Sequence, residues 1–377
     1  MRRMLAMGVA VSMFVPTEVQ QASIMDAIER MTLHQMICQM IVPEADDVHG
    51  GTPMTEVDGK VVEMLAAYPV GGILFPSSAM IDQDQVKTMM EDLDRVSDID
   101  LMKTCDEEGG RVARLMYSVG TTYVGPMLSY EAQGEEKAYD NAHTIAADMH
   151  LLGFDADMAP VADVYSDPDN QVIADRAYSK DPDHAASLVA AAVTGFHDGG
   201  VSTALKHFPG HGGTKEDSHV GQATVSGSLP ILKKTNLKPF QAGIDAGSDM
   251  VMVSHLAVPD VDPDHISTFS YTIVTDLLRK EMGFSGVVIT DGMKMGALDG
   301  VTGKEAAVMA VEAGCDMILQ PRNVVDTVKA LEDAVRSGRI PHQRIVVSVK
   351  RILTMKKSRG TFDPVAYVRD HPVRPTQ

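Results

Sequence analysis

Between Lys206 and His219 the chain reads Lys-His-Phe-Pro-Gly-His-Gly-Gly-Thr-Lys-Glu-Asp-Ser-His, which brings His207, His211, Asp217 and His219 into 14 positions. Pro209, Gly210, Gly212 and Gly213 break any helix there and predict an irregular loop. Asp217 and His219 stand two positions apart. In a loop, that spacing lets a carboxylate hold one imidazole nitrogen and raise the basicity of the other. Such a pair suits general acid–base chemistry near neutral pH. The plainer alternative is a solvated Asx turn at Asp217-Ser218. A second reactive candidate is Asp291, which closes the apolar run Val287-Val-Ile-Thr290 and precedes Gly292. An ionised carboxylate at the mouth of an apolar strand is costly unless it is hydrogen-bonded or functional. It is suited to act as a nucleophile or a base, with a helix N-cap as the structural alternative.

The elements that must hold these groups are legible as an alternation. Short apolar runs of strand character fall at 39–42, 72–75, 101–105, 156–164, 203–206, 250–254, 286–290 and 317–320. Between them lie segments of helical period. Val86, Met89, Met90 and Leu93 follow the i, i+3, i+4, i+7 spacing, and Val189, Ala192, Val193 and Phe196 repeat it. Gly199-Gly200, Gly247 and Gly314 stand where helices should end. Eight strands alternating with helices predict an α/β protein with a parallel sheet, a (β/α)8 TIM-type barrel in a single domain. The competing architecture is a doubly wound open sheet, but no GxGxxG follows the first strand. In a barrel, Asp106, Arg176, Lys206-His207, His255 and Asp291 follow or end the third to seventh strands, all on the C-terminal face where active sites form. Each alone is more simply a salt bridge or a cap. Together they mark a site.

Composition narrows the class. The 377 residues are 44% hydrophobic and 23% charged, which is ordinary for a globular protein. Lys and Arg number 33 against 52 Asp and Glu, giving a net charge of −19. That balance repels nucleic acid and anionic membranes, so neither is expected as a partner. Cys38, Cys105 and Cys315 are far apart, with no CxxC pair to indicate a disulfide framework or structural zinc. The 26 methionines, with no tryptophan, are read as soft core filler. Met1-Arg2-Arg3 followed by a mostly apolar run to residue 15 has the form of a secretory leader, without a clean small-x-small cleavage pattern. Residues 1–23 are therefore expected as a signal peptide or N-terminal extension, and export is expected over a cytoplasmic location. The run is too short to span a membrane, and no later stretch reaches spanning length. Residues 24–364 are expected to form the barrel and 365–377 a polar tail, in a protein acting as a monomer.

Several stretches carry a family resemblance. They are Val70-Gly-Gly-Ile-Leu-Phe75, Asp106-Glu-Glu-Gly-Gly-Arg-Val112, Gly153-Phe-Asp-Ala-Asp-Met-Ala-Pro-Val-Ala-Asp-Val164, Val172-Ile-Ala-Asp-Arg176, Lys206-His-Phe-Pro-Gly-His-Gly212, Asp217-Ser-His219 and Thr290-Asp-Gly-Met-Lys-Met295. In this order they resemble glycoside hydrolase family 3, and the KHFPGHG and DSH motifs resemble its single-domain β-N-acetylglucosaminidase branch. The resemblance implies a retaining exo-enzyme that releases β-linked N-acetylglucosamine from peptidoglycan-derived or chitin-type oligosaccharides, with no cofactor and no metal. It implies that Asp291 is the nucleophile, His219 the general acid/base and Asp217 its partner. It also implies that Asp106, Arg114, Arg176, Lys206 and His207 hold the sugar's hydroxyls and acetamido group. Two positions depart from the family pattern: Glu107 stands where Gln is usual, and Gly213 where Asp is usual. Altered loop geometry or affinity is expected from them, not loss of activity. Phosphorolysis is a variant of the same chemistry, since a histidine in place of a second carboxylate repels an anionic acceptor less.

Two rival readings remain at this level. A metal-dependent barrel hydrolase would draw ligands from His207, His211, His219, His255 and Asp291, but the segment from Val42 to His49 lacks the His-x-His such barrels place after the first strand. A sugar-binding protein without catalysis would not need Asp217, His219 and Asp291 together.

Overall fold

The structure, a computed structural model, describes residues 22–214, 216 and 221–372. Asp217, His219 and nearly all of the 1–23 segment lie outside the described residues. Eight short strands arise where the apolar runs predict them: β1 (Ile41–Val42), β2 (Gly72–Leu74), β3 (Met102–Cys105), β4 (Ala156–Asp157), β5 (Ser202–Phe208), β6 (Met250–Val253), β7 (Val287–Thr290) and β8 (Ile318–Leu319). Strands β2 to β7 form one six-stranded sheet in sequential order, every pair parallel. β1 pairs with β8, also in parallel. Parallel bridges Glu44–Leu74 and Ile289–Met317 join that pair to the two edges of the sheet. The fold is TIM-barrel-like α/β, with helices in the connections.

β4 is shorter than the apolar run 156–164. Pro160 has no N–H to donate, so the pairing around it is one-sided: Ala159 and Pro160 accept from the Ala204 and Lys206 N–H groups at 2.8 and 3.3 Å. Beyond the break, Val161 bridges Lys206 and Ala162 donates its N–H to the Lys206 carbonyl at 2.7 Å.

The helices follow the sequence pattern closely. Gln83–Val96 buries Val86, Met89, Met90 and Leu93 and starts on an Asp82 cap. Pro182–Asp198 starts on an Asp181 cap and buries Val189, Ala192, Val193 and Phe196. Its end is followed by Gly200 at φ +98°, and Gly314, at +126°, caps Gly303–Ala313. Both torsions favour glycine. Met89, Met90, Met250, Met252 and Met317 are buried in the apolar core, in keeping with methionine as filler. The three cysteines are buried and free, and burial pushes the Cys38 thiol up to about 12.

The C-terminal stretch differs from the expected polar tail. Asp363 caps a helix, Pro364–Asp370, that buries Tyr367 and Val368. Tyr367 stacks on His371 at 4.1 Å, and Arg30 donates to the His371 carbonyl at 3.1 Å. The apolar face of this one short helix was too brief to register as a period. Among the described residues no helix is long and apolar enough to cross a membrane.

Candidate active site

The strand ends on the C-terminal face gather most of the expected polar residues around one carboxylate that sequence reasoning assigned no role. Glu108 lies just beyond β3 and is buried. Both its oxygens accept from Arg176, at 2.8 Å from Nε and 2.8 Å from Nη2. Lys206, in β5, reaches Glu108 at 2.6 Å and Asp106 at 2.6 Å. Burial alone would push the Glu108 carboxyl up, but Arg176 and Lys206 outweigh it and hold it well below the usual carboxylate range. Burial likewise works against the Lys206 ammonium, and Asp106 and Glu108 more than offset it. The four groups are mutually dependent: removing one member of such a buried set typically costs about 3–5 kcal/mol.

His207 continues the network. Its Nδ1 lies 2.7 Å from Asp163 Oδ2 and its Nε2 lies 3.3 Å from Arg176 Nη2. Because the guanidinium can only donate, Nε2 accepts and Nδ1 carries the proton given to Asp163. Asp163, 1% exposed, also accepts the backbone N–H groups of His207 at 3.2 Å and His211 at 2.5 Å. Glu108 and Asp163 were therefore missed as positioning groups. The signal for both was an acid embedded in an otherwise apolar or glycine-rich run next to a strand end.

Asp291 follows β7 and is partly buried. Its Oδ1 accepts from the Gly292 N–H at 2.8 Å and its Oδ2 from Ser254 Oγ at 3.2 Å. No α-helix begins at Asp291, so the N-cap alternative does not hold. His211 connects this carboxylate with the rest of the site. Its ring meets that of His207 edge-on with centroids 6.1 Å apart. Burial lowers the His211 pKa, against the charges of Asp163 and, more weakly, Asp291. His255 is fully buried and bonds Thr268 Oγ1 at 2.7 Å and the Gly292 carbonyl at 3.1 Å. It supports the backbone beside Asp291. Arg114 opens the helix Arg114–Val119 and donates its backbone N–H to the Asp106 carbonyl at 3.1 Å. Among the described residues no three His, Cys, Asp or Glu side chains group as a metal site.

The two departures from the family pattern have local explanations. A Cβ at Gly213 would come 3.0 Å from Ser166 Oγ, so a larger residue there requires Ser166 to give way by a few tenths of an ångström. Its neighbour Gly212 has no such freedom, since a Cβ would lie 1.8 Å from the Val164 carbonyl oxygen. Glu107 is buried and caps the helix after it, accepting the N–H groups of Leu115 at 2.6 Å and Met116 at 3.1 Å. Its own N–H donates to buried Asp157 at 3.0 Å.

Burial raises the Glu107 carboxyl from 4.5 to about 7, more than the two N–H donors and Arg114 lower it. A carboxyl raised in the folded state holds its proton more tightly there than in the unfolded chain. Its contribution is thus complete below the unfolded pKa and is lost as pH rises through the folded one. Wild-type stability should fall by up to about 3 kcal/mol between about pH 4 and about pH 7 relative to Glu107→Gln, which cannot ionise. Urea unfolding of both proteins across that range measures the difference. Parallel stability curves would remove Glu107 as its source.

The sequence profile of the glycosyl hydrolase family 3 N terminal domain matches residues 32–355. The chain is 32% identical to beta-hexosaminidase A of Pseudoalteromonas piscicida over 333 residues, covering 80% of this chain and 56% of that protein. It is 35% identical to a beta-hexosaminidase of Xylella fastidiosa over 289 residues, 74% of this chain and 85% of the relative. Among solved structures, a glycoside hydrolase family 3 beta-N-acetylglucosaminidase from Paenibacillus sp. str. FPU-7 superposes with a TM-score of 0.83 at 34% identity, covering 92% of this chain and 65% of that one. The chain thus spans little more than half of the first of these relatives and about two thirds of the third.

Proposed function

We propose a reaction for this chain from one premise: it belongs to glycosyl hydrolase family 3. It is a retaining exo-β-N-acetylglucosaminidase that removes β-linked N-acetylglucosamine from peptidoglycan-derived or chitin-type oligosaccharides. The observation that carries this reading is the pairing, on one face, of a partly buried carboxylate at the end of β7 with the Asp106–Lys206–Glu108–Arg176–His207 network after β3 and β4 and in β5. Such a surface offers hydroxyl and carbonyl groups of a sugar both donors and acceptors beside a nucleophile. The names of the relatives, beta-hexosaminidase and beta-N-acetylglucosaminidase, agree with it.

In the mechanism, Asp291 attacks the anomeric carbon as the aglycone leaves, forming a covalent glycosyl-enzyme. His219, oriented by Asp217, gives its proton to the leaving oxygen. It then takes a proton from water, which attacks the same carbon, frees Asp291 and restores the original configuration. Ser254 and the Gly292 N–H hold the Asp291 carboxylate for attack. Asp106, Arg114, Arg176, Lys206 and His207 hold the sugar. The bridges Glu44–Leu74 and Ile289–Met317 support reading the eight strands as a closed (β/α)8 ring, which sets these residues around one mouth.

The purified chain should release nitrophenol from 4-nitrophenyl N-acetyl-β-glucosaminide and much less from the corresponding β-glucoside, which lacks the acetamido group. The rate with N-acetylglucosaminide should be the same with and without phosphate. A rate that depends on phosphate would make the chain a phosphorylase, and no release from either substrate would overturn the reading.

A further inference from the structure

The opposite end of the fold holds a cavity that the proposed reaction does not use. It has a volume of about 680 Å3 and lies between the loop before β6, the loop before β7 and the helix His342–Ser358. That volume is in the range of small-molecule sites. Ile244, Phe284, Val347 and Met355 supply an apolar wall. Lys350 and Arg351 supply two cations on the adjoining turn of the helix.

The charge around this cavity is unbalanced. Arg351 lies 3.1 Å from Asp316, but Asp316 is also held by Arg344 at 3.2 Å and by Arg279. One fully buried carboxylate thus serves three guanidinium groups. The carboxylate in the cavity wall, Asp249, is already taken by Arg359 at 2.9 Å and His197 at 2.8 Å. The lining itself carries two cations, Lys350 and Arg351, and one carboxylate, Asp249, in a protein whose net charge is −19; behind it Arg279, Arg344 and Arg351 share Asp316. Burial pulls the Arg279 pKa down and, although Asp316 opposes this, Arg351 and Arg344 add to it, as expected where cations crowd one anion. A local excess of one sign within a low-dielectric recess focuses the field and favours an incoming counter-charge.

We propose that this cavity binds a small organic oxyanion, a phosphate ester or carboxylate carried on an apolar body, with the oxyanion on Lys350 and Arg351 and the body against Phe284 and its apolar neighbours. Arg351 has a planar fork suited to an oxyanion, and among the described residues one of its nitrogens donates to a carboxylate that two other arginines also hold. Lys350 adds a mobile point charge. The site is independent of the Asp291 end, because it lies before β6 and β7, whereas Ser254 and Asp291 lie after them.

Phenyl phosphate and inorganic phosphate are the probes, titrated calorimetrically into the full chain. Phenyl phosphate should bind saturably at one site, roughly tenfold more tightly than inorganic phosphate because its ring is removed from water. Loss of one charge-assisted contact in Lys350→Glu should weaken binding by roughly ten- to a hundredfold. Arg351→Gln should weaken it similarly and keeps the fold, since Asp316 retains Arg279 and Arg344. Saturating N-acetylglucosamine should leave phenyl phosphate binding unchanged, and Lys350→Glu should leave turnover of the chromogenic N-acetylglucosaminide unchanged. The proposal is overturned by absence of saturable binding to the wild type at millimolar phenyl phosphate. It is equally overturned by wild-type affinity in both variants, by equal affinity for the two probes, or by displacement with N-acetylglucosamine. The affinities for the two probes, in the wild type and in both variants, do not depend on whether the chain hydrolyses glycosides.

Discussion

Asp291→Asn should fold, bind N-acetylglucosamine and turn over substrate at least about 10⁴-fold more slowly than the wild type. The substitution keeps the shape of the side chain. The amide oxygen can still accept the Gly292 N–H, and the amide nitrogen can face Ser254 Oγ, which has lone pairs to accept it. The anionic lone pair proposed to form the glycosyl-enzyme is lost. Steady-state kinetics on the chromogenic substrate read the first effect, and calorimetric titration with N-acetylglucosamine reads the second. Retention of more than roughly a few per cent of kcat would assign the nucleophile elsewhere; loss of sugar binding together with turnover would make Asp291 a structural residue.

His219→Ala should lower kcat by about 10²- to 10⁴-fold on alkyl glycosides, whose leaving oxygen must be protonated. On an aryl glycoside with a good leaving group the first step should be nearly spared, and the covalent intermediate should build up because water is no longer deprotonated. A pre-steady-state burst of nitrophenol separates the two steps. Asp217→Asn should be milder on the alkyl substrate, since in the proposed reaction Asp217 assists the proton carrier without being it. Equal rates for the wild type and His219→Ala on the alkyl glycoside would take His219 out of the mechanism.

Much of the architecture was legible because it rests on periodicity. The eight strand positions and the buried faces of Gln83–Val96 and Pro182–Asp198 follow directly from the spacing of apolar residues. The length of β4 was not legible from hydrophobicity alone, because the pairing becomes irregular around Pro160, which lacks a donor, while the apolar character continues. The C-terminal helix Pro364–Asp370 was missed because Tyr367 and Val368 are too few to make a pattern and are buried by residues distant in sequence. In the site, residues with distinctive chemistry after strands were easy to mark. Glu108 and Asp163 were not, because a buried carboxylate earns its role only from the cations or donors that the fold brings to it. His255 shows the reverse error: a histidine at a strand end, turned inward to hold the backbone.

The three bonds that Asp163 makes to His207 and His211 have a consequence for how such a protein can diversify. A carboxylate belonging to one βα unit fastens the end of the next unit's strand and the start of its loop. Thr214, bonded back to His211 at 2.8 Å, closes that fastened stretch. The stretch from His207 to Thr214 is therefore tied to the preceding βα unit as well as to itself. Under the proposed reaction, a residue meant to hold the sugar and a residue meant to move the proton share one connection. Substitutions after residue 216 are then expected to change the pH at which the chain works sooner than its hold on the sugar.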